Sequence, residues 1–239
     1  MQGIKNIREN NNKMKNNILK IVAVVLLCWM ATEANAQWSV GVKGGMTRTS
    51  IDRTNLGRID ESYSTLNGFE IGVNGRYEFF DWLAVRADLS FMKRSYRMDR
   101  SLNYLDPVYT KYKNSYLMLP VMADLSFGGE RLRGHLLGGG FVGYWLSSRV
   151  VGKTYWMTDY YVYFNDFDEK RSFNDEDRRF TAGLVGGVSM SYDINEHIGV
   201  NCDALYYYDL VSHHKGYKHL SDPRYLNTLS ICLGVYYIF

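Results

Sequence analysis

The stretch GFEIGVNGRYEFFDWLAVRADLSFMK, residues 68–93, decides the fold of this chain. In both halves of the stretch, apolar side chains alternate with polar or charged ones. Ile71 and Val73 therefore share one face, while Glu70 and Arg76 share the other. An alternation with a period of two is typical of a β-strand whose two faces have different surroundings. A short break near the middle divides the stretch, so it predicts two long antiparallel strands joined by a tight turn.

The same alternation recurs along the chain and predicts eight strands in all. Most of them span about ten residues or more, whereas the strands of globular proteins average about five or six. Strands that cross a membrane need about nine to eleven residues. The predicted strands cover residues 38–47, 68–79, 82–93, 115–127, 131–148, 178–192, 197–210 and 225–239.

The connections between the predicted strands alternate between short and long. Outer-membrane barrels show this arrangement, with short turns on the periplasmic side and long loops outside. An even number of strands also returns the C-terminus to the side on which the first strand begins. The short turns are residues 80–81, 128–130 and 193–196, and the long polar connections are residues 48–66, 94–114, 149–177 and 211–224.

One face of the predicted sheet is apolar and the other carries charged side chains. Alternation alone does not say which face is inside. A soluble lipocalin-type barrel has its apolar face inside, and a membrane barrel has it outside. In the membrane arrangement the charged face lines the lumen. The predicted lumen charge network consists of Lys43, Glu70, Arg76, Glu78, Arg86, Asp88, Asp124, Arg133, His135, Arg179, Asp203 and Asp209.

Aromatic residues near the strand ends favour the membrane arrangement, because aromatic girdles mark both interfaces of outer-membrane barrels. The C-terminal residues Leu233, Val235, Tyr237 and Phe239 alternate on one face and end on an aromatic ring. This pattern resembles the C-terminal assembly signal of such barrels. The predicted girdle residues are Trp38, Phe79, Phe80, Trp82, Phe127, Tyr144, Trp145, Tyr192, Tyr236, Tyr237 and Phe239.

The N-terminus predicts export. The segment that begins at Met14 has two lysines, then a short apolar run at 21–30, and then Ala-Asn-Ala before Gln37. A basic start, an apolar run and an A-x-A site make a secretory signal peptide. The run is too short for a membrane helix, which needs about 20 residues. We therefore expect residues 1–36 to comprise upstream residues and a signal peptide, with the start at Met14, and residues 37–239 to form the barrel.

The cysteines are predicted to be free. Cys28 follows Leu26 and Leu27, where a lipid-attachment motif would have small residues, so no lipid anchor is expected. Cys202 and Cys232 would reach an exported compartment that permits disulfides. The alternation places these two cysteines on opposite faces of the sheet, so a bond between them is not expected.

Five segments of the chain together resemble the PorT-like family of outer-membrane β-barrel proteins. The most specific piece is YLMLP at Tyr116–Pro120, and the resemblance covers residues 37–239. It implies a small monomeric barrel in the outer membrane, in a family whose members usually have no assigned function. One branch of the family is tied to assembly of a protein secretion system, and nothing in this sequence selects that branch. The segments are AQWSVGVKGGMT (36–47), YLMLPVMADLSF (116–127), GGGFVGYWL (138–146), FTAGLVGGVSMSY (180–192) and LGVYYIF (233–239).

Pro120 is unusual because it lies in the middle of a predicted strand. Proline has no N–H to donate to a neighbouring strand, so it is normally found at sheet edges, strand starts or bulges. A closed barrel has no edge. The sequence therefore predicts a β-bulge or a locally widened ladder at Pro120, where the strand bends.

The lumen charges are the main clue to function. The interior of an eight-stranded barrel is just wide enough for side chains to fill it, and opposite charges offset one another's desolvation. We therefore predict a salt-bridge plug, with no cofactor and no metal. A narrow channel or proton path is the alternative. The formal charge of +3 and the scattered basic residues do not indicate a nucleic-acid partner.

A catalytic candidate lies at the outer end of the seventh predicted strand, where Ser212, His213 and His214 are consecutive. Small membrane barrels that deacylate lipid use a Ser/His pair near the outer leaflet. Adjacent residues of a strand point to opposite faces, so the spacing is not specific. We favour a polar loop and no enzyme, and keep an outer-leaflet lipid-modifying enzyme as the alternative. Together with His219, these histidines show no spacing of a known metal site.

The longest connection, residues 149–177, is rich in Tyr, Trp, Phe and Asp. Aromatic rings among adaptable polar groups are typical of recognition surfaces, although a solvated loop that rests on lipopolysaccharide would have the same composition. Residues 154–164 are predicted to extend the strands as a hairpin above the membrane. The chain is thus predicted to be all-β, an eight-stranded antiparallel up-and-down outer-membrane barrel with a structural or interaction role. Its expected partners are outer-membrane lipid and lipopolysaccharide, the barrel-assembly machinery during insertion, and an extracellular or envelope protein, with the barrel itself a monomer.

Overall fold

The computed structural model describes residues 38–53, 61–102, 105–157, 162–174, 177–212 and 224–239. These residues form nine antiparallel β-strands. Among them, no helix is long and apolar enough to cross a membrane. The strands are β1 (Trp38–Arg53), β2 (Glu61–Phe80), β3 (Leu83–Leu102), β4 (Leu105–Gly128), β5 (Leu132–Met157), β6 (Val162–Arg171), β7 (Phe180–Asp193), β8 (Ile198–Asp209) and β9 (Arg224–Ile238).

Eight of these strands close into a ring. Strand β1 pairs with β2 on one side and with β9 on the other, and β5 pairs with β4 and β7. In the described part of the chain, β6 pairs only with the outer end of β5, so it stands outside the ring. The predicted eight-stranded up-and-down barrel is confirmed, and β6 adds a hairpin to its wall.

The apolar face of the barrel points outwards. Ile71 is 60% exposed and Leu233 is 68% exposed, whereas Lys43 is 3% exposed and faces the lumen. A continuous apolar surface of this extent would be costly in water and is solvated by lipid chains instead. We call this surface the lipid belt. Two free cysteines lie on opposite faces of the sheet, as the alternation predicted: Cys202 is exposed on the lipid belt and Cys232 is buried on the lumen side.

Two aromatic residues depart from the predicted girdle and face the lumen. Trp145 is 4% exposed, because Tyr144 takes the outward position beside it. Tyr236 is half-buried, and its hydroxyl donates a hydrogen bond to Asp193 at the rim. The four residues of the predicted assembly signal all lie exposed on the lipid belt: Leu233, Val235, Tyr237 and Phe239.

The strands continue well past the lipid belt on one side of the barrel, where long loops were predicted. Residues 94–102, residues 105–114 and much of 149–177 are strands, and the expected hairpin around 154–164 is confirmed by the pairing of β5 with β6. The loop prediction was wrong because both faces of these strands meet polar surroundings outside the membrane. The alternation of apolar and polar residues therefore fades there, while the hydrogen-bonded pairing of the strands continues. We define the outer sheet as residues 61–66, 94–102, 105–115, 147–157 and 162–171.

Register shifts mark the place where the outer sheet leaves the barrel. One shift lies between Thr65 and Glu70 in the β2–β3 pairing, and another lies between Ser115 and Tyr116 in the β4–β5 pairing. Bulges of this kind bend a strand and increase its local twist, and they are common at barrel rims. They therefore let the wall change direction where it leaves the membrane.

No bulge lies at Pro120, so that form of the prediction is wrong, whereas a ladder that is locally open on one side fits its alternative, a locally widened ladder. The pairing of β4 with β5 runs in unbroken register through Pro120 and Phe141. The pairing with β3 keeps one register on both sides but has no pairs at Leu119 and Pro120. The missing proline N–H is therefore accommodated by a local gap in one ladder, with no inserted residue. The register shift in this pairing lies further out, between Ser115 and Tyr116, and its extra residue is Leu146 on β5.

Inward-facing glycines let neighbouring strands approach closely. A Cβ atom on Gly139 would lie 2.1 Å from the carbonyl oxygen of Val121, and one on Gly187 would lie 2.0 Å from that of Ala204. Real Cβ atoms do not approach oxygen so closely, so only glycine fits at these two positions. A narrow barrel needs such points in order to curl tightly.

Candidate functional site

The middle of the lumen holds an alternating chain of charges. Lys43 Nζ lies 2.8 Å from Glu70 Oε1 and 2.7 Å from Asp88 Oδ2. Arg86 Nε lies 2.9 Å from Asp88 Oδ1, and its Nη2 contacts Asp203 Oδ2 at 2.5 Å. Because all of these side chains are buried, each charge depends on its neighbour to offset desolvation. The arrangement is a compact ionic cross-brace between opposite parts of the wall.

A second buried pair lies nearer the outer end. Arg94 is fully buried, and its Nη2 lies 2.8 Å from Asp209 Oδ1, while its Nε donates to Thr228 Oγ1 at 2.8 Å. Arg94 is absent from the predicted lumen network because the predicted third strand ends one residue earlier, at Lys93. Arg94 has the same strand phase as Arg86, so extending the alternation would have identified it.

The outer end of the lumen is filled by aromatic, aliphatic and methionine side chains. The Tyr116 and Trp145 rings stack at 5.9 Å, and Phe173 packs edge-on against Trp145 at 4.9 Å. Arg179 was predicted in the lumen but lies at the rim, where its guanidinium covers the rings of Phe173 and Tyr144. We call the following buried residues the lumen core: Met92, Tyr96, Tyr116, Met118, Met122, Leu137, Phe141, Trp145, Val185, Leu205, Tyr207 and Leu226.

The short-turn end differs, because a polar cavity of about 710 Å³ opens there. By the usual orientation of outer-membrane barrels this end faces the periplasm. Arg76 lies inside it and contacts Glu78, Asp124 Oδ2 at 2.6 Å and Ser126 Oγ at 2.8 Å. Arg133 lines the same cavity, with its Nη1 3.7 Å from Glu78 Oε1. These charges are in contact with water from one side.

His135 occupies the inner part of this cavity. Its Nδ1 lies 2.8 Å from Asp124 Oδ1, and its Nε2 lies 2.8 Å from Ser191 Oγ. His135 and Asp124 were predicted as lumen residues, but the contact of His135 with Ser191 was not. Ser191 shares the inward phase of its strand with Ser189. The alternation in the sequence therefore shows that Ser191 faces the lumen, but it does not give the strand register that brings the three side chains together.

The outer sheet offers a different kind of surface. Arg149 and Asp168 form a two-point ion pair across β5 and β6, with N–O distances of 2.6 and 2.8 Å. The hydrogen bonds from Arg149 hold the pKa of the Asp168 carboxyl below its usual value, with a smaller contribution from the charge of Lys113. Tyr163 and Phe164 are exposed on β6. This surface combines accessible rings with paired charges.

The remaining predicted site residues are not brought together by the described structure. Ser212 is half-buried just after β8, while His213, His214 and His219 lie outside the described residues. Within the described ranges, no group of His, Cys, Asp and Glu side chains is arranged to hold a metal ion. The lumen and the outer sheet are therefore the two candidate functional regions of the described structure.

Comparisons with solved structures return small outer-membrane barrels. OprG from Pseudomonas aeruginosa has 14% identity and a TM-score of 0.49, with 84% of this chain and 95% of that chain covered. Neisserial surface protein A has 14% identity and a TM-score of 0.45, with 86% and 99% covered. Ail, the attachment invasion locus protein of Yersinia pestis, has 15% identity and a TM-score of 0.40, with 86% and 99% covered. A comparison with curated proteins finds no match.

The sequence itself matches a family model. The model describes the outer membrane protein beta-barrel domain, and it matches residues 31–213, which is most of the chain. The closed ring and the exposed lipid belt agree with that match. The chain therefore belongs to the outer membrane protein beta-barrel domain family and resides in the cell outer membrane.

Proposed function

We propose that this protein is an interaction protein of the outer membrane and that the outer sheet is its contact surface. The observation that carries the proposal is the outer sheet, which extends one part of the barrel wall and ends in strand β6. Among the described residues, the far edge of β6 pairs with no strand. A sheet edge presents N–H and C=O groups to which an extended segment of another chain can add as a further strand.

The side chains of β6 fit specific contact. Tyr163 is 59% exposed and Phe164 is 40% exposed, so β6 presents two aromatic side chains at the surface, with Lys153 Nζ 4.9 Å from the centre of the Phe164 ring. Aromatic residues are enriched in the buried centres of protein interfaces. The same strand carries Asp166, Asp168 and Glu169, and charges on an edge strand discourage indiscriminate pairing. The combination favours a selected protein partner over self-association, which agrees with a monomeric barrel.

Site-specific photocrosslinking in cells tests the proposal. A photoreactive amino acid at Tyr163 should give discrete adducts with a protein. The matched control is Tyr206, which is 47% exposed but lies on the lipid belt. Crosslinks from that position should go to lipid. Identical adduct patterns at the two positions, or no protein adduct at Tyr163, would contradict the proposal.

The finer family assignment and the remaining partners belong to the same proposal. The Tyr116–Pro120 piece supports membership in the PorT-like group, whose secretion-associated branch is one setting for an envelope partner. Lipopolysaccharide is the lipid partner of the belt, and the C-terminal signal is read by the assembly machinery. A deletion strain scored for secretion, lipid profile and adhesion separates these roles, when complemented by the full chain or by a variant whose β5–β6 hairpin is shortened.

Export by the predicted signal peptide is part of this proposal as well. The mature protein should begin at Gln37, because the A-x-A site precedes that residue. Mass spectrometry of the purified protein from membranes measures this directly. A mature chain that retains residues before Gln37 would contradict the predicted cleavage.

The two alternative functions, a narrow channel and an outer-leaflet lipid-modifying enzyme, gain no support from the described geometry. A channel needs a continuous path, and the lumen core fills the outer end of the barrel with buried side chains. An outer-leaflet deacylase built on Ser212, His213 and His214 has no described site, since both histidines lie outside the described ranges.

A further inference from the structure

Three polar side chains on neighbouring strands meet at the short-turn end of the lumen. His135 on β5 pairs in register with Ser126 on β4 and with Ser189 on β7. Asp124 lies two residues deeper on β4, and Ser191 lies two residues nearer the cavity mouth on β7. The three strands therefore line up a carboxylate, an imidazole and a hydroxyl along the barrel axis, and the hydroxyl is the group nearest the cavity mouth.

The distances between these groups match a nucleophile, its base and an orienting acid. His135 Nδ1 lies 2.8 Å from Asp124 Oδ1, and His135 Nε2 lies 2.8 Å from Ser191 Oγ. With the proton on Nδ1, the imidazole donates to the carboxylate and accepts from the serine hydroxyl. This order of acid, base and nucleophile is the one that activates serine in hydrolases of unrelated folds.

The carboxylate is held in place by a second set of contacts. Arg76 Nε donates to Asp124 Oδ2 at 2.6 Å, so both oxygens of the carboxylate are engaged. Arg76 Nη2 donates to Ser126 Oγ at 2.8 Å, and Ser126 Oγ lies 3.1 Å from His135 Nδ1. These contacts fix the acid and the ring from the side opposite the serine, which is what an orienting group requires.

Ser191 and His135 line the 710 Å³ cavity, whereas Asp124 lines only a smaller space behind it, of about 40 Å³. A cavity of several hundred cubic ångströms accommodates a small molecule. The nucleophile thus faces the solvent-connected space, and the acid lies deeper in the barrel. The arrangement is accessible from the periplasmic side, because the lumen core fills the outer end.

A positive group lies beside the serine. Arg133 on β5 pairs in register with Ser191, and its side chain lines the cavity. A guanidinium in this position can stabilise the negative charge that develops on a carbonyl oxygen under attack.

We propose that Ser191, His135 and Asp124 form a hydrolytic site for a small polar ester that enters the barrel from the periplasm. Ser191 Oγ attacks the ester carbonyl carbon as its proton passes to His135 Nε2. The carbon–oxygen bond to the alcohol then breaks, and the alcohol leaves with that proton. Water attacks the acyl-serine, again giving a proton to His135, which returns it to Ser191 Oγ as the carboxylic acid departs. The net reaction is ester plus water to acid plus alcohol.

The lining of the cavity selects the substrate class. Arg76, Arg131 and Arg133 lie there together with Glu78 and Glu130, so the walls are charged. A long acyl chain would leave these charges without water or partners, which is costly. A short acyl ester of a polar alcohol keeps them solvated. This activity is independent of the outer sheet and of the contact function proposed for it.

The test uses the mature barrel refolded in detergent, with folding verified by heat-modifiable gel mobility. A fluorophosphonate probe should attach covalently to Ser191, as located by peptide mass spectrometry, and p-nitrophenyl acetate should be hydrolysed. Ser191→Ala should abolish the adduct, and His135→Gln should slow labelling about 100-fold or more, the usual contribution of a general base. Ser189→Ala is the matched control, because Ser189 Oγ donates to Asp203 and leaves His135 untouched. It should label like the unchanged barrel.

Three results would overturn the proposal. One is a folded barrel that gives no adduct and hydrolyses no ester above the rate in buffer. Another is labelling that persists in folded Ser191→Ala. The third is an unchanged labelling rate in folded His135→Gln, because a serine that reacts without its base is not activated by it. Crosslinking at the outer sheet reports on the contact proposal separately, so the failure of one proposal is distinguishable from failure of the other.

Discussion

The two ends of the lumen are built from different chemistry. At the outer end, the lumen core packs stacked rings and methionines around the buried Arg94–Asp209 pair. At the periplasmic end, Arg76 and Arg133 line an open cavity. Both ends carry arginines paired with carboxylates, but only one of them is in contact with water. The contrast is between an outer end that is packed with side chains and a periplasmic end that keeps a polar, solvent-connected cavity.

The largest expected effect comes from breaking an ion pair that water does not reach. Arg86→Ala leaves Asp88 and Asp203 buried without their shared cation, and removing one partner of a buried pair typically costs about 3–5 kcal/mol. Urea unfolding in lipid vesicles, followed by tryptophan fluorescence, measures the change in the free energy of unfolding. The matched control is Arg133→Ala, because the Arg133 side chain is 32% exposed at the cavity mouth and 3.7 Å from its partner. If the two variants lost equal free energy of unfolding, the buried arginine and the water-exposed arginine would not differ in their contribution to stability.

The sequence predicts the ring, its faces and most of the lumen charges, because alternation records which side of a strand each residue occupies. Lys43, Arg86 and Asp203 were placed in this way. Alternation does not record where a strand ends once it leaves lipid, so Arg94 and the outer sheet apart from its β5–β6 hairpin were missed. Nor does it record register. The contact of His135 with Ser191 depends on the register in which β5 pairs with β7.

The second-largest effect is expected at the outer end of the lumen, which the lumen core fills. Trp145→Ala removes a 4% exposed ring that packs on Tyr116 and Phe173. Truncating a buried aromatic ring costs about 3 kcal/mol or more in protein cores, so the midpoint of urea unfolding should fall. The control is Tyr144→Ala, the neighbouring residue on the lipid belt, which should cost less because lipid chains can fill the space. A steady conductance in planar bilayers for the unchanged barrel would show instead that the outer end is not closed.

A smaller effect is expected between the two ends, where β4 and β5 approach closely. Gly139→Ala places a Cβ atom 2.1 Å from the carbonyl oxygen of Val121, so the strands must separate. Overpacking of this kind costs about 1–3 kcal/mol. Gly138→Ala is the matched control, because its Cβ atom would meet nothing within 4 Å. Refolding yield and the urea midpoint measure both variants, and the close-approach interpretation is wrong if they behave alike.

The smallest effect is expected on the outer sheet, where charges pair in full contact with water. Arg149 and Asp168 form a two-point pair, and the hydrogen bonds from Arg149 lower the pKa of Asp168. A carboxyl with a lowered pKa in the folded state contributes stability above its unfolded pKa of about 4, and that contribution disappears as the pH falls through the folded value.

Acidification below about pH 4 should therefore loosen the β5–β6 hairpin, and Asp168→Asn should loosen it at neutral pH. Exposed pairs contribute little to global stability, so the urea midpoint of the barrel should stay unchanged in this variant. Amide hydrogen exchange in β6 measures the local opening. A change in the barrel midpoint as large as that of Arg86→Ala would show that the outer sheet and the sealed lumen unfold as one unit, which the difference in their exposure to water argues against.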